Sequence, residues 1–269
     1  MADPAAHVVD TDQIHLPFQI HFEVPQPFEA LGVDFHMTKF MWLELIAAAL
    51  MILIFVPLAW RVRKGQPPKG RLWNMFEVIL VFLRDQVVRP SIGRHDADRF
   101  LPFIWTIFFF ILFCNLLGLL PWAGSPTGAL GVTATMAAVT FSMVIAAGMK
   151  KYGLVRFWLG LVPHMKLPLV MAVWLVPMIW AIELMGLLIK HVILSVRLLA
   201  NMFAGHLVLA VIIGFIADVA GTYWWYGIMP LSVFGATCMN LLELFVAFLQ
   251  AYIFAFLASL FIGMAVHQH

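Results

Sequence analysis

The chain has 269 residues, of which 63% are apolar and 11% are charged, and its formal net charge is +2. Soluble domains average about 45–50% apolar and about 25% charged residues, so this composition excludes a water-soluble fold. Because the net charge is small and no basic runs alternate with aromatic residues, nucleic-acid binding is not expected. The composition predicts an integral membrane protein.

The N-terminal segment, residues 1–39, is the only extended stretch in which polar residues are frequent. It lacks the basic region, apolar run and small-residue cleavage site of a signal peptide. We therefore expect an arm outside the membrane, followed by a single membrane domain over residues 40–269. No internal repeat or low-complexity tract interrupts that domain.

The first span is predicted at residues 40–60, about the length that a bilayer requires. Residues 61–71 follow, with several arginines and lysines and no acid, and such loops stay in the cytoplasm. The N-terminus is therefore expected outside. In residues 71–90, apolar residues recur at helical spacing between charged ones, which predicts an amphipathic helix on the inner membrane surface.

Two further spans are predicted at residues 101–120 and 132–149, and the loop between them carries no charge. Lys150 and Lys151 follow the second of these spans, so that end is expected inside. The two spans therefore form a hairpin whose loop lies outside.

The last two predicted helices, residues 168–217 and 228–266, are too long for ordinary spans. Residues 178–217 and 231–266 contain no proline, and a helix of that length measures about 60 Å against about 30 Å of hydrocarbon. Each segment must either break or tilt steeply, and no polar loop divides it. We predict an all-α integral membrane protein with about five membrane-crossing helices and one amphipathic surface helix. The last two helices are very long and steeply tilted, and the C-terminus is cytoplasmic.

Charged side chains inside these two helices are the first functional signal, because a charge at the bilayer centre costs at least about 2.5–3.5 kcal/mol. At 100° per residue, four polar side chains share one stripe of the first long helix: Glu183, Lys190, Arg197 and Asn201. Ser195 and His206 mark a second face. Snorkelling, or mutual pairing that specifies helix packing, is the alternative explanation.

Glu243 and Gln250 share a face of the last helix. If the two helices fold back at residues 224–225, His206 comes opposite Glu243. Such a pair can relay a proton, since both groups can titrate at reachable pH. A static ion pair is the alternative.

Arg197 differs in kind, because a guanidinium keeps its proton in proteins and cannot be a link in a proton wire. Glu183 lies about 21 Å away along the helix, too far to pair, and no closer acid is present on the same helix. We therefore expect another chain to supply the carboxylate that Arg197 faces.

Four motifs together resemble subunit a of the rotary F-type ATP synthase. The most specific is the run from Ser195 to His206, SVRLLANMFAGH, followed by ELFVAFLQAYIF from Glu243 to Phe254. The segment from Asn115 to Pro121, NLLGLLP, and Pro126-Thr127 with Val132-Thr133 are similar to earlier helices of that family. The resemblance covers nearly the whole chain beyond about residue 40.

The resemblance implies a stator channel against which a ring of c subunits turns. Arg197 would face the ring carboxylates, and the outer half-channel would hold Asn201, His206, Glu243 and Gln250. The inner half-channel would hold Glu183, Lys190 and Ser195. One common version of the family has the acid at the position of His206 and the histidine at that of Glu243, so the two are exchanged here.

The resemblance also implies partners and a location. The partners are the c-subunit ring, b-type peripheral stalk subunits and the other ATP synthase subunits, in an energy-coupling membrane that we expect to be the bacterial inner membrane. We expect no cofactor and no metal, since Cys114 and Cys238 fit no metal spacing. The chain has no catalytic triad or phosphate-binding loop, so it is not expected to be an enzyme on its own.

Two other functions compete. A secondary ion transporter or antiporter predicts inverted repeats and broken helices, neither of which is found. A structural membrane scaffold predicts that Arg197, Asn201 and Glu243 tolerate apolar replacement.

Overall fold

The computed structural model describes residues 13–16, 20–23, 38–65, 70–120, 124–160 and 169–267. Most of the expected N-terminal arm, residues 66–69, 121–123 and 161–168, and the last two residues lie outside this range. The division of the chain into an arm and a membrane domain stays a prediction.

Two short strands in the N-terminal arm were not predicted. They are β1, Gln13–Leu16, and β2, Ile20–Glu23, and they pair antiparallel. Both segments alternate apolar with polar residues, which is the period of a strand.

Most of the rest of the described chain is helical. In chain order the helices are α1 (Lys39–Arg63), α2 (Arg71–Phe82), α3 (Arg89–Ile92), α4 (Arg94–Gly118), α5 (Leu130–Tyr152), α6 (Leu154–Leu159), α7 (Leu169–Asp218) and α8 (Trp225–Val266). Among the described residues, five helices are long and apolar enough to cross a membrane: α1, α4, α5, α7 and α8. This confirms the predicted all-α multi-pass membrane fold.

The two longest helices are unbroken. α7 has 50 residues and α8 has 42, so they measure about 75 Å and about 63 Å. Both helices begin before the proline-free stretches and contain a proline, Pro177 in α7 and Pro230 in α8. One proline removes a single backbone hydrogen bond, which a long helix in a membrane tolerates. Gly221, at φ +84°, lies in the turn between the two helices.

The surface helix is less regular than predicted. α2 buries none of its residues, and apolar side chains such as Leu72 and Val78 are exposed, as a lipid-facing helix requires. After α2 the chain forms one π-helical turn, Leu83–Val88, before α3. Asp85 in this turn accepts hydrogen bonds from Arg84 at 2.9 Å and Arg89 at 2.9 Å. The hydrogen bond from Arg84 is the main reason that the pKa of Asp85 lies below its usual value.

The described helices fall into two compact units, each built from separate segments of the chain. The first comprises Met1–Pro68, Phe109–Thr133 and Leu198–Ala251. Its core includes the ring of Phe109, which contacts Phe55 of α1 at 4.5 Å between ring centroids.

The second unit comprises Lys69–Phe108, Ala134–Arg197 and Tyr252–His269. Here the end of α8 is tied to two other helices. The Tyr152 hydroxyl donates a hydrogen bond to the Val266 carbonyl at 2.9 Å, and His267 Nε2 donates to the Ile92 carbonyl at 2.7 Å. Gly263 approaches the Ser91 carbonyl so closely that a Cβ would not fit.

Candidate functional site

The polar stripe of α7 begins on an exposed surface. Glu183 and Lys190 are both exposed, and neither forms an ion pair with any described residue. Their neighbours Ile182 and Ile189 are also exposed, so the described part of the chain does not cover the apolar surface around the stripe. Ser195 lies on the other side of the helix and is buried.

Arg197 lies at the edge between the covered and uncovered sides of α7. Its own side chain is half-buried, Leu198 beside it is buried, and Val196 on the other side is 47% exposed. Within the described part of the chain, the guanidinium has neither an ion-pair partner nor a hydrogen-bond partner. Asn201 follows one turn later and is also half-buried. A guanidinium without a partner is therefore available to a carboxylate from outside the chain.

Glu243 packs directly on Gly205. A Cβ built on Gly205 would lie 2.5 Å from Glu243 Oε1, so a side chain at this position would have to displace the carboxylate. A cavity of about 140 Å³ adjoins this contact, with Asn201, Met202, Ala204, Gly205, Val208, Met239, Leu242, Glu243 and Val246 around it. The volume is sufficient for several water molecules, and the Asn201 amide is a polar group that would bind them.

Glu243 and His206 are not hydrogen-bonded to each other. Both carboxylate oxygens of Glu243 and the Nε2 atom of His206 are buried without a partner in the described residues. The contact of the carboxylate falls on Gly205, one residue before His206. A proton passing between the two side chains would therefore need water or a side-chain rotation. Gly205 was not among the residues predicted for the site, and it contacts the Glu243 carboxylate directly.

Gln250 lies two turns beyond Glu243 on α8 and is also buried. Ala247 and Ala251, which flank it on the same helix, are fully buried. Small residues in such positions allow neighbouring helices to approach closely.

His191 is a buried polar residue that the predicted site did not include. Its ring lies between Phe141 and Phe261, and Nδ1 donates to the Leu187 carbonyl at 2.9 Å. No group of three or more His, Cys, Asp or Glu side chains that could hold a metal occurs among the described residues.

The family model described as ATP synthase A chain matches residues 41–263. The chain is 40% identical to the ATP synthase subunit a of Chloroherpeton thalassium, with 98% of this chain and 76% of the relative covered. It is 36% identical to the ATP synthase subunit a of Myxococcus xanthus, covering 98% of this chain and 88% of that protein.

Proposed function

The chain belongs to the ATP synthase A chain family, and from this premise we propose that it is the stator channel against which a ring of c subunits turns. As a family member it is a multi-pass membrane component of ATP synthase, with a part in ATP synthesis and proton transport, and it is not a stand-alone enzyme. Its side chains move protons between the two sides of the membrane as follows.

The outer half-channel is formed by Asn201, His206, Glu243 and Gln250. A proton from outside reaches the Glu243 carboxylate through water in the adjoining cavity and passes to a carboxylate on the ring. The proposal is supported by the burial of Glu243, by its lack of a fixed partner and by the cavity beside it. Once neutralised, the ring carboxylate can enter lipid, where a charged one could not.

Arg197 separates the two half-channels. It attracts the bare ring carboxylate and, because it never gives up its proton, it does not let protons pass directly from one side to the other. The observation that carries the proposal is the half-buried guanidinium, which has no partner among the described residues and lies beside apolar surface that those residues leave uncovered.

The inner half-channel is formed by Glu183 and Lys190 on the exposed stripe of α7, together with Ser195 on its buried side. A ring site that has turned away from Glu243 meets this side and releases its proton to the cytoplasm. The exposure of Glu183 and Lys190 supports this role, because both side chains remain accessible to water or to the ring. In this arrangement the N-terminus lies outside, the C-terminus is cytoplasmic, and b-type stalk subunits hold the stator in the bacterial inner membrane.

Cross-linking in the assembled complex tests the proposed partner. In a background in which Cys114 and Cys238 are replaced by alanine, Ile193→Cys adds a thiol one turn before Arg197 on nearly the same face. Ile193 is 50% exposed, so the thiol is accessible. We expect a disulfide with a cysteine introduced beside the c-subunit carboxylate.

The matched control is Val192→Cys, which is 51% exposed but points about 140° away from Arg197. It should not cross-link to the ring. Equal cross-linking of both cysteines, or of neither, would contradict the assignment of this face to the ring.

A further inference from the structure

We propose that Asn115, Thr127 and Ser125 form a positioning network that sets the rotation of α8 and thereby aims Glu243 at α7. The inference rests on the proposed function, because it gives these residues a part in proton uptake by Glu243. None of the three is expected to carry a proton itself.

The network is a chain of buried hydrogen bonds with one direction. Asn115 Nδ2 donates to the Ala247 carbonyl at 3.4 Å, and Asn115 Oδ1 accepts from the Thr127 hydroxyl at 2.7 Å. The hydroxyls of Ser125 and Thr127 are 2.8 Å apart. Because Thr127 uses its single hydrogen on Asn115, Ser125 must be the donor to Thr127.

All three side chains are almost fully buried, at 0% exposure for Asn115, 1% for Thr127 and 3% for Ser125. Buried polar groups retain fixed geometry when each has a partner, and they are expensive to leave unpaired. Gly118 makes the arrangement possible, since a Cβ there would lie 2.5 Å from the Cβ of Ser125. The loop after α4 is thereby held against the same helix that carries Asn115.

The network ends on α8 one turn after Glu243. Ala247 is four residues beyond Glu243, so the two positions lie about 40° apart around the helix. An external hydrogen bond to the Ala247 carbonyl resists rotation of α8 at that level. A rotation of about 20° would move a group at the helix surface by about 2 Å. That displacement is nearly as large as the separation of 2.5 Å between the Glu243 oxygen and the Cβ position of Gly205.

The test uses assembled ATP synthase in liposomes, with two measurements: ATP-driven proton pumping, and the dependence of passive proton conduction on outside pH. Asn115→Leu removes both hydrogen bonds of Asn115, to Ala247 and to Thr127, with a side chain of similar volume. Thr127→Val removes the hydroxyl, whereas Thr127→Ser retains it. The matched control is Thr140→Val, because Thr140 is equally buried but bonds only to the Met136 carbonyl of its own helix.

We expect Asn115→Leu and Thr127→Val to lower pumping per assembled complex by about three- to tenfold. The net free energy of one hydrogen bond corresponds to a factor of about that size in the equilibrium between the positioned and displaced carboxylate. Both should also move the pH of half-maximal conduction, since Glu243 would no longer be held in place. Thr127→Ser and Thr140→Val should behave as the parent does. If Asn115→Leu fails to assemble, the smaller change in Thr127→Val carries the test.

An unchanged pH profile in assembled Thr127→Val complexes would overturn the network, and so would a Thr127→Ser variant as defective as Thr127→Val. Arg197→Ala distinguishes this failure from failure of the proposed function. If Arg197→Ala uncouples the enzyme while the network variants are normal, only the positioning role is wrong. If Arg197→Ala remains coupled, the proposed function itself fails.

Discussion

Close packing at a single residue determines where the Glu243 carboxylate lies. Gly205 has no side chain, and the carboxylate occupies the space that a Cβ would need. His206 is the neighbouring residue that can titrate, but its Nε2 atom has no hydrogen-bond partner among the described residues. The pairing of an acid and a histidine, suggested by their residue types, is therefore not a direct hydrogen bond in this structure.

Replacing Gly205 by alanine tests this contact. The added methyl group would collide with Glu243 Oε1 at 2.5 Å and displace the carboxylate. Because a misplacement of about 1 Å in a reacting group can cost about a hundredfold, we expect ATP-driven proton pumping to fall by about ten- to a hundredfold.

The control is Gly214→Ala on the same helix, where a Cβ meets nothing within 4 Å. Glycine to alanine inside a helix is otherwise favourable by about 0.5–1 kcal/mol, so this variant should assemble and pump normally. Normal pumping by Gly205→Ala would show that the carboxylate has room elsewhere and that the contact is unimportant.

Among the helices, the end of α8 is held against α3 by backbone contact. Gly263 lies against the Ser91 carbonyl, and His267 bonds to the Ile92 carbonyl just beyond it. Ile92 ends α3, where carbonyls lack partners within the helix, so the imidazole also completes the hydrogen bonding of that end. These contacts fix the position of α8 along its axis within the second unit.

Gly263→Ala should weaken the packing of α8 against α3. A backbone carbonyl cannot rotate away as a side chain does, so the added methyl group would force α8 and α3 apart. Overpacking of this kind costs about 1–3 kcal/mol, and we expect a lower midpoint of thermal unfolding for the purified complex.

Gly186→Ala is the matched control, since a Cβ there meets nothing within 4 Å. The two variants should differ clearly in their unfolding midpoints. Equal midpoints would mean that the end of α8 is not held by this contact.

At the scale of the whole molecule, hydropathy and length predicted the fold because the bilayer imposes both. The spans followed from apolar runs about as long as a membrane is thick, and the two long helices followed from the absence of a polar break. The strands of the N-terminal arm and the π-helical turn at Leu83–Val88 were not predicted. Each strand has only four residues, and the π-helical turn has six within a longer helical segment, so none of them produces a long periodic pattern.

The site was predictable only in part. Arg197 could be singled out because it is charged, lies in an apolar helix and has no acid near it in sequence. Gly205 could not, since its role depends on the register between α7 and α8 to within one residue. The hydrogen bond from Asn115 to Ala247 joins residues 132 positions apart, so no local pattern reveals it.

The coupling of proton flow to rotation by Arg197 is tested by Arg197→Ala in purified ATP synthase reconstituted into liposomes, with ATP-driven proton pumping measured per assembled complex. Val192→Ala, an exposed position on the other side of α7, is the control. We predict normal assembly of both variants, normal pumping by Val192→Ala and no coupled pumping by Arg197→Ala. Pumping at the parental rate by Arg197→Ala would contradict the coupling role of Arg197.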